Sequence, residues 1–502
     1  VDVLRVRLRV VAWPGAFFLV GPRERHFFTQ THVLDRRGQI RELVPIAGTS
    51  CRDYFHSAST SFVLQSRTDP QTGTLLPIMS FNAAAFQLTD AQLARLPREI
   101  IGKATSAFSR NHSGKFGFGE CYRFTTSGTD RFRDARERWV QLTGSSPALP
   151  HGLTASAPVC FAAFTFDARS AAKSVLSVPR YVLDISSESH WLRYIYRVGE
   201  TIPSQEVLFA DFLAELPDEP DSRADAEVPT VSAHMSQNAF QHSVEAAVNM
   251  LTDNTLKKVV LARDELLRAE KGFHIPATMR ALATQNPTAW TYKVGSLLGS
   301  TPELLIARQD SSARARVLAG TVDRDVATND QLIADQLSES PKQIFEHQAA
   351  VDSLVEKLSP FATTMQVSDR PFVLTLPNVY HLATDVSAQL TSSTSILDLV
   401  AEINPTAAVG GTPRDPALEA IWTLEAETHG MDRGLYAGAV GWLDADGQGE
   451  FGIALRGCII EDPQHVRVYA GGGIVDGSDP VEELAETHAK MRPIKKALRT
   501  KK

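Results

Sequence analysis

The sequence predicts an α+β fold in which antiparallel strands form a large sheet with helices outside it. Near the carboxyl end, Leu435–Leu443, Glu450–Ile460 and His465–Tyr469 read as strands, the first two joined by the turn-rich Asp444-Ala-Asp-Gly-Gln-Gly449. Short connections of that kind imply an antiparallel meander. Apolar residues at spacings of three and four, such as Phe240, Val244, Val248 and Leu251, mark amphipathic helices in the same half. The amino-terminal half mixes strand-like runs, Val159–Phe166 and Tyr181–Ile185, with a helical pattern over Asp90–Phe108.

At the start of the chain, Leu4, Val6, Leu8 and Val10 alternate with Arg5, Arg7 and Arg9. A period of two places apolar and cationic side chains on opposite faces of a strand, which a secretory signal does not do. An acidic, proline-punctuated stretch, Leu216–Ser236, contains Pro217, Glu219, Pro220, Asp221, Asp225, Glu227 and Pro229. It has little to bury and reads as a linker, dividing the chain into residues 1–235 and 236–502. Beyond it a strand is expected at Lys258–Arg263, and a helix over Ser340–Leu358 with Ile344, Val351, Leu354, Val355 and Leu358 facing inward. Pro341 suits the first turn of that helix, and Ser478 or Asp479 would cap a terminal one.

Composition narrows the function classes. A hydrophobic fraction of 43% over 502 residues supplies apolar surface for a sizeable core and argues against disorder. Net charge is −7, from 51 basic and 58 acidic residues, so there is no electrostatic footprint for nucleic acid or an anionic membrane. No stretch reaches the roughly 18 apolar residues of a membrane span. Cys51, Cys121, Cys160 and Cys458 follow no disulfide or zinc spacing, which suggests reduced thiols in a cytoplasmic protein.

Four features could carry chemistry. Glu483, Glu486 and Lys490 project from one helix face, either as a solvated salt-bridge ladder or as carboxylate ligands for Mg²⁺. Arg456, with the small residues Gly452, Ala454 and Cys458 on its strand face, sits in a hollow that suits either an anionic ligand or a structural ion pair. The glycines 471–473 form either a turn or a backbone surface that a ligand can approach closely. Lys258 heads an apolar strand, Val259-Val-Leu-Ala262, and is either a solvated strand end beside Lys257 or a partly buried base with a depressed pKa. His347 and His381 fit core or surface positions as well as catalytic ones.

Taken in order, the blocks resemble those of the chorismate-utilising enzymes. They are Lys258-Val-Val-Leu-Ala-Arg263, Ser300-Thr-Pro-Glu-Leu-Leu305, Leu318-Ala-Gly-Thr321, Phe345-Glu-His347, His381-Leu-Ala-Thr384 and Asn404-Pro-Thr-Ala-Ala-Val-Gly-Gly-Thr-Pro413. Gly434-Leu-Tyr-Ala-Gly438, Ile453-Ala-Leu-Arg456, Ala470-Gly-Gly-Gly-Ile474 and Glu483-Leu-Ala-Glu-Thr487 continue the series. The resemblance is strong over 240–498. Before the linker, Cys160-Phe-Ala-Ala-Phe-Thr-Phe-Asp167 also matches, and the first 130 residues show no likeness.

The resemblance implies large antiparallel sheets packed together with peripheral helices, to which the amino-terminal half contributes. It implies chorismate as substrate and Mg²⁺ as cofactor, held by Glu346 and Glu483 with Glu486 nearby. Tyr436, Arg456, Gly472, Gly473 and Lys490 would bind the substrate carboxylates, with Gly320 and His381 lining the site. Members of the branch that adds water to the ring have a lysine base at the position of Lys258, and Glu303 would then be the acid. The two need opposite pKa shifts, down for the lysine and up for the acid.

That branch is the isochorismate synthases, serving menaquinone or siderophore biosynthesis. Ala319 stands where the aminodeoxychorismate branch has a lysine, and no Gly-x-Cys-x-Gly nucleophile motif occurs, so no glutaminase subunit is expected. Salicylate synthases share Lys258, Glu303 and the metal ligands, and are the nearest alternative. A non-catalytic chorismate-binding subunit is an alternative of another class. Relatives of this branch are often monomers.

Overall fold

The computed structural model describes residues 80–143, 149–218, 228–252, 256–318, 340, 344, 347–374, 380, 382–391 and 394–499 with their side chains. Over 9–13, 16–20, 33–34, 40–41, 319–323, 341–343, 345–346, 375, 379 and 381 it describes the backbone only. Leu4, Val6 and Leu8 lie outside the described residues; the strand they were expected to form is described from Arg9.

The chain forms two compact units, residues 1–78 and 79–502. In the first, Arg9–Trp13, Ala16–Val20, Val33–Leu34 and Ile40–Arg41 pair in sequence as an antiparallel sheet.

The second unit contains two large sheets, of thirteen and ten strands among the described residues, and every strand pairing in them is antiparallel. Near one edge of the larger, Lys258–Arg268 pairs with His465–Ile474 in continuous register from Val259↔Ile474 to Arg268↔His465. The order continues through Gly457–Asp462, Leu297–Thr301, Trp290–Val294 and Ser106–Arg110 to strands before residue 200. Strands from both sides of the stretch 216–236 therefore share one sheet. The smaller sheet contains Val379–Leu390, Ser312–Asp323, Leu304–Gln309, Gly449–Ile453, Ala439–Asp444 and Val159–Ala163 as successive neighbours.

The period of two sorts the strand residues between two cores. Leu297, Tyr469 and Ile474 join Phe161, Phe451 and Ile453 of the smaller sheet in one apolar cluster. Their neighbours Leu298, Val466, Val468 and Ala470 turn the other way, toward Met279, Leu282, Met491 and Ile494 on helices Ile275–Gln285 and Pro480–Leu498. Each large side chain so buried contributes about 1.5–3 kcal/mol. The terminal helix starts where Asp479 accepts hydrogen bonds from the Val481 and Glu482 amides, with Pro480 in its first turn. Acids in the first turn and Lys495 and Lys496 in the last complement its dipole.

Three expectations are corrected. The helix over Asp90–Phe108 is a short helix, Asp90–Leu93, a 3₁₀ turn, Ile100–Lys103, and the start of strand Ser106–Arg110. Pro97 and Gly102 interrupt the helical pattern, and both are poor in a helix interior. In helix Pro341–Leu358 the buried stripe is His347, Val351, Leu354 and Leu358, whereas Ile344 is exposed. The strand expected over Glu450–Ile460 is broken at Arg456, which adopts a left-handed φ of 53°. Its first part belongs to the smaller sheet and its second part to the larger. The carboxyl-terminal meander is thus shared between two sheets.

Candidate active site

The site forms where the chain passes from one sheet to the other. Leu297–Thr301 belongs to the larger sheet and Leu304–Gln309 to the smaller, with Pro302 and Glu303 between them. The adjacent segment crosses in the opposite sense, from Gly449–Ile453 to Gly457–Asp462, through Ala454, Leu455 and Arg456. The Ile453 amide donates to the Glu303 carbonyl at 3.2 Å and the Ser300 amide to the Arg456 carbonyl at 3.4 Å, so the crossings are bonded to each other. Tyr292, fully buried, donates its hydroxyl to the Leu455 carbonyl at 2.8 Å. Arg456 is therefore not one residue of a regular strand face but the corner itself. Non-glycine residues seldom adopt positive φ, and strained corners of this kind cluster at functional sites.

A second corner lies against the first. The Ala437 amide donates to the Ala454 carbonyl at 2.9 Å, and Ala437 is also left-handed, at φ 61°. This turn presents Tyr436, whose buried ring stacks on Tyr469 with centroids 5.0 Å apart and planes 10° apart. Burial pushes the Tyr436 phenol up to about 12, so it stays protonated and can donate a hydrogen bond.

Lys258, Gly472 and Gly473 meet through strand register. Val260 lies opposite Gly473 and Leu261 opposite Gly472. A Cβ at Gly473 would stand 2.7 Å from Lys258 Cε and 3.3 Å from its Nζ, so the lysine lies across the bare glycine. A Cβ at Gly472 would overlap Glu483 Oε2 and would lie 3.9 Å from the Glu486 carboxyl carbon. The glycines 471–473 are thus strand residues opened for close approach, not a turn. On the terminal helix, Lys490 donates to the Gly471 carbonyl at 2.8 Å and pairs with Glu486, and Ser478 donates to Glu483 Oε1 at 2.9 Å.

Glu303, only 6% exposed, is pushed up to about 8 by burial, against the pull of Lys258, Arg456 and Lys490. Burial also pushes Glu486 up, but Lys490, Arg456 and Lys258 together outweigh it and hold that carboxyl below its ordinary value. Three cations thus act on one acid that keeps its proton near neutrality and on another that has lost it.

Gly320 falls at the register shift between Ala319, opposite Leu382, and Thr321, opposite His381. Gly320 and His381 are thus neighbours across paired strands; the His381 side chain lies outside the described residues. Glu346 is in helix Pro341–Leu358, just before His347, whose Nε2 is 2.6 Å from Thr384 Oγ1 on the same strand as His381. The Glu346 side chain also lies outside the described residues. Glu483 and Glu486, one helical turn apart, form an all-oxygen pair of the kind a hard divalent cation takes, and only a glycine at residue 472 lets the Glu483 carboxylate lie so close to that strand.

Sequence reasoning missed a supporting pair. Arg433 makes a two-pronged ion pair with Glu425 at 2.7 and 2.6 Å, both fully buried. Arg433 also donates to the Val260 carbonyl at 2.6 Å and the Val409 carbonyl at 3.0 Å, and Glu425 accepts from the Ala262 amide at 2.8 Å. The pair ties the strand of Lys258 to the turn of Tyr436. Glu425 lies in a π-helical stretch, Trp422–Glu427, which shows no helical period that would flag it.

The chain matches the family described as chorismate binding enzyme over residues 98–499, a match that begins within the first 130 residues, where no likeness was expected. Isochorismate synthase DhbC of Bacillus subtilis is 34% identical over 52% of this chain and 67% of that protein. Isochorismate synthase MenF of the same organism is 28% identical over 74% of this chain and 82% of that one. The structure of MenF, the menaquinone-specific isochorismate synthase from Escherichia coli, shares the fold with a TM-score of 0.67 at 24% identity, over 84% of this chain and 96% of that one. With the antiparallel sheets and the site at their crossing, these matches establish that the chain belongs to the chorismate-binding enzyme family.

Proposed function

We propose that this chain is an isochorismate synthase, adding water at C2 of chorismate with loss of the C4 hydroxyl. The observation that carries the reading is Glu303: a buried carboxyl, protonated near neutrality, within the field of Lys258, Arg456 and Lys490. The names of the matched relatives support the same branch.

In this reading Lys258 removes a proton from water as its oxygen bonds to C2. The ring double bonds shift, the C4–O bond breaks, and Glu303 gives its proton to the departing oxygen. Positioned acid and base each contribute on the order of 10²–10⁴ in rate. Arg456, Lys490, the Tyr436 hydroxyl and the Gly472 and Gly473 backbone would hold the two substrate carboxylates, with Gly320 and His381 completing the wall. Glu346, Glu483 and Glu486 would hold Mg²⁺, which when bound neutralises and orients the ring carboxylate. The product would supply menaquinone or siderophore biosynthesis.

Water addition is tested by turnover in H₂¹⁸O. One ¹⁸O atom per isochorismate formed is expected, and product without label would overturn the reading.

A further inference from the structure

Glu303 also lines a cavity of about 30 Å³. Its walls are the Ala350, Ser353, Leu354 and Lys357 face of helix Pro341–Leu358, the segment Thr406–Ala408, and Leu304, Arg316 and Val317 of the smaller sheet. Glu303 and Ile453 complete its lining. The volume admits one or two water molecules. A polar atom also asks for one: Thr406 Oγ1, in a residue of the cavity wall, is buried with no hydrogen-bond partner among the described residues. An unpaired buried hydroxyl next to a void of this size is what an internal water satisfies.

We propose that this cavity carries water between Glu303 and Lys357, and that through Lys357 the Glu303 carboxyl regains its proton from solvent after each turnover. The inference rests on the reading above, in which each turnover leaves Glu303 without a proton and Lys258 with one extra. The spent carboxylate takes a proton relayed from the Lys357 ammonium, and Lys357 recovers one from solvent, which its partly exposed side chain reaches. Lys258 releases its own proton separately, so the cycle is balanced. Lys357 suits the role because burial, aided by Arg414, pushes its amine down to about 8, against Glu402, Asp415 and Glu356. Donor and acceptor are then nearly matched, as Glu303 also sits at about 8. The charged groups around Lys357 are Arg414 and Asp415 of helix Arg414–Ile421, Glu402 of helix Ile396–Ile403, Glu356 of its own helix, and Arg316 across the cavity.

Lys357→Arg tests the relay, since it keeps the positive charge but holds its proton throughout the neutral range. In the full-length protein with chorismate and Mg²⁺, rapid-quench kinetics should show a first turnover at the wild-type rate, because Glu303 starts protonated. Later turnovers should then slow by roughly tenfold or more, which small amines such as imidazole partly restore. Thr406→Val, which removes the wall hydroxyl, should give a weaker form of the same burst. Wild-type steady-state turnover in Lys357→Arg would overturn the relay, and so would a first turnover slowed as much as the rest. Failure of the underlying reading would look different: the wild-type chain would form no isochorismate, or Glu303→Gln would remain fully active.

Discussion

Glu303 and Arg456 occupy the two corners at which neighbouring antiparallel segments change sheets in opposite directions. The bonds from Ile453 to Glu303 and from Ser300 to Arg456 fasten these corners to each other. Regular strands alternate their side chains between two faces, but a corner lets a side chain leave that alternation. The arrangement brings a buried acid and a guanidinium close enough for the cation to favour the ionised carboxylate. Burial still dominates, which keeps the acid protonated where a surface glutamate would be ionised.

Lys258→Ala is expected to abolish isochorismate formation, with a loss of about 10² or more, while chorismate still binds. Chromatographic product analysis alongside calorimetric titration with chorismate checks both halves. Full activity in this variant would remove the proposed base.

The Glu303 carboxyl should impose an alkaline limit on turnover. A carboxyl at about 8 donates its proton below that pH and not above it, so kcat/KM should fall as pH rises through about 8. The same shift has a sign for stability. The folded state holds this proton between the ordinary value of 4.5 and about 8 while the unfolded state has lost it, so the associated stability is present below 4.5 and is lost as pH rises through about 8. Glu303→Gln should therefore be inactive yet melt higher than wild type at pH 9, with a smaller gain at pH 5. Calorimetric scans at both pH values decide the matter.

Gly473→Ala would push a methyl group into Lys258 Cε, and Gly472→Ala one into the Glu483 carboxylate. The first should lower kcat at saturating Mg²⁺. The second should mainly raise the Mg²⁺ concentration needed for half-maximal activity. Metal titrations of the two variants that superimpose would contradict this division.

Truncating one member of the buried Arg433–Glu425 pair leaves the other charge uncompensated, at a cost of roughly 3–5 kcal/mol. Arg433→Met should lower the unfolding free energy obtained from urea denaturation by that much. Removing both charges together should cost less than the sum of the single changes, because neither variant's stranded charge remains.

The residues proposed to meet substrate stood out because they sit in short blocks of fixed order, and those blocks also carried the antiparallel fold. What joins them was not. Arg456 read as one residue of a continuous strand, since the sequence from Glu450 to Ile460 is apolar enough to be one, and nothing local announces a positive φ at an arginine. The Glu425–Arg433 pair escaped because a buried ion pair looks like any two charges until the elements around it close. The helix read over Asp90–Phe108 shows the opposite error, in which apolar spacing was given more weight than Pro97 and Gly102.

The most direct measurement is incubation of the purified protein with chorismate, with and without Mg²⁺, followed by chromatographic separation of chorismate, isochorismate, salicylate and anthranilate. Isochorismate that appears only with the metal, unaccompanied by salicylate, is the predicted result. Salicylate with pyruvate, or no product at all, would contradict the account.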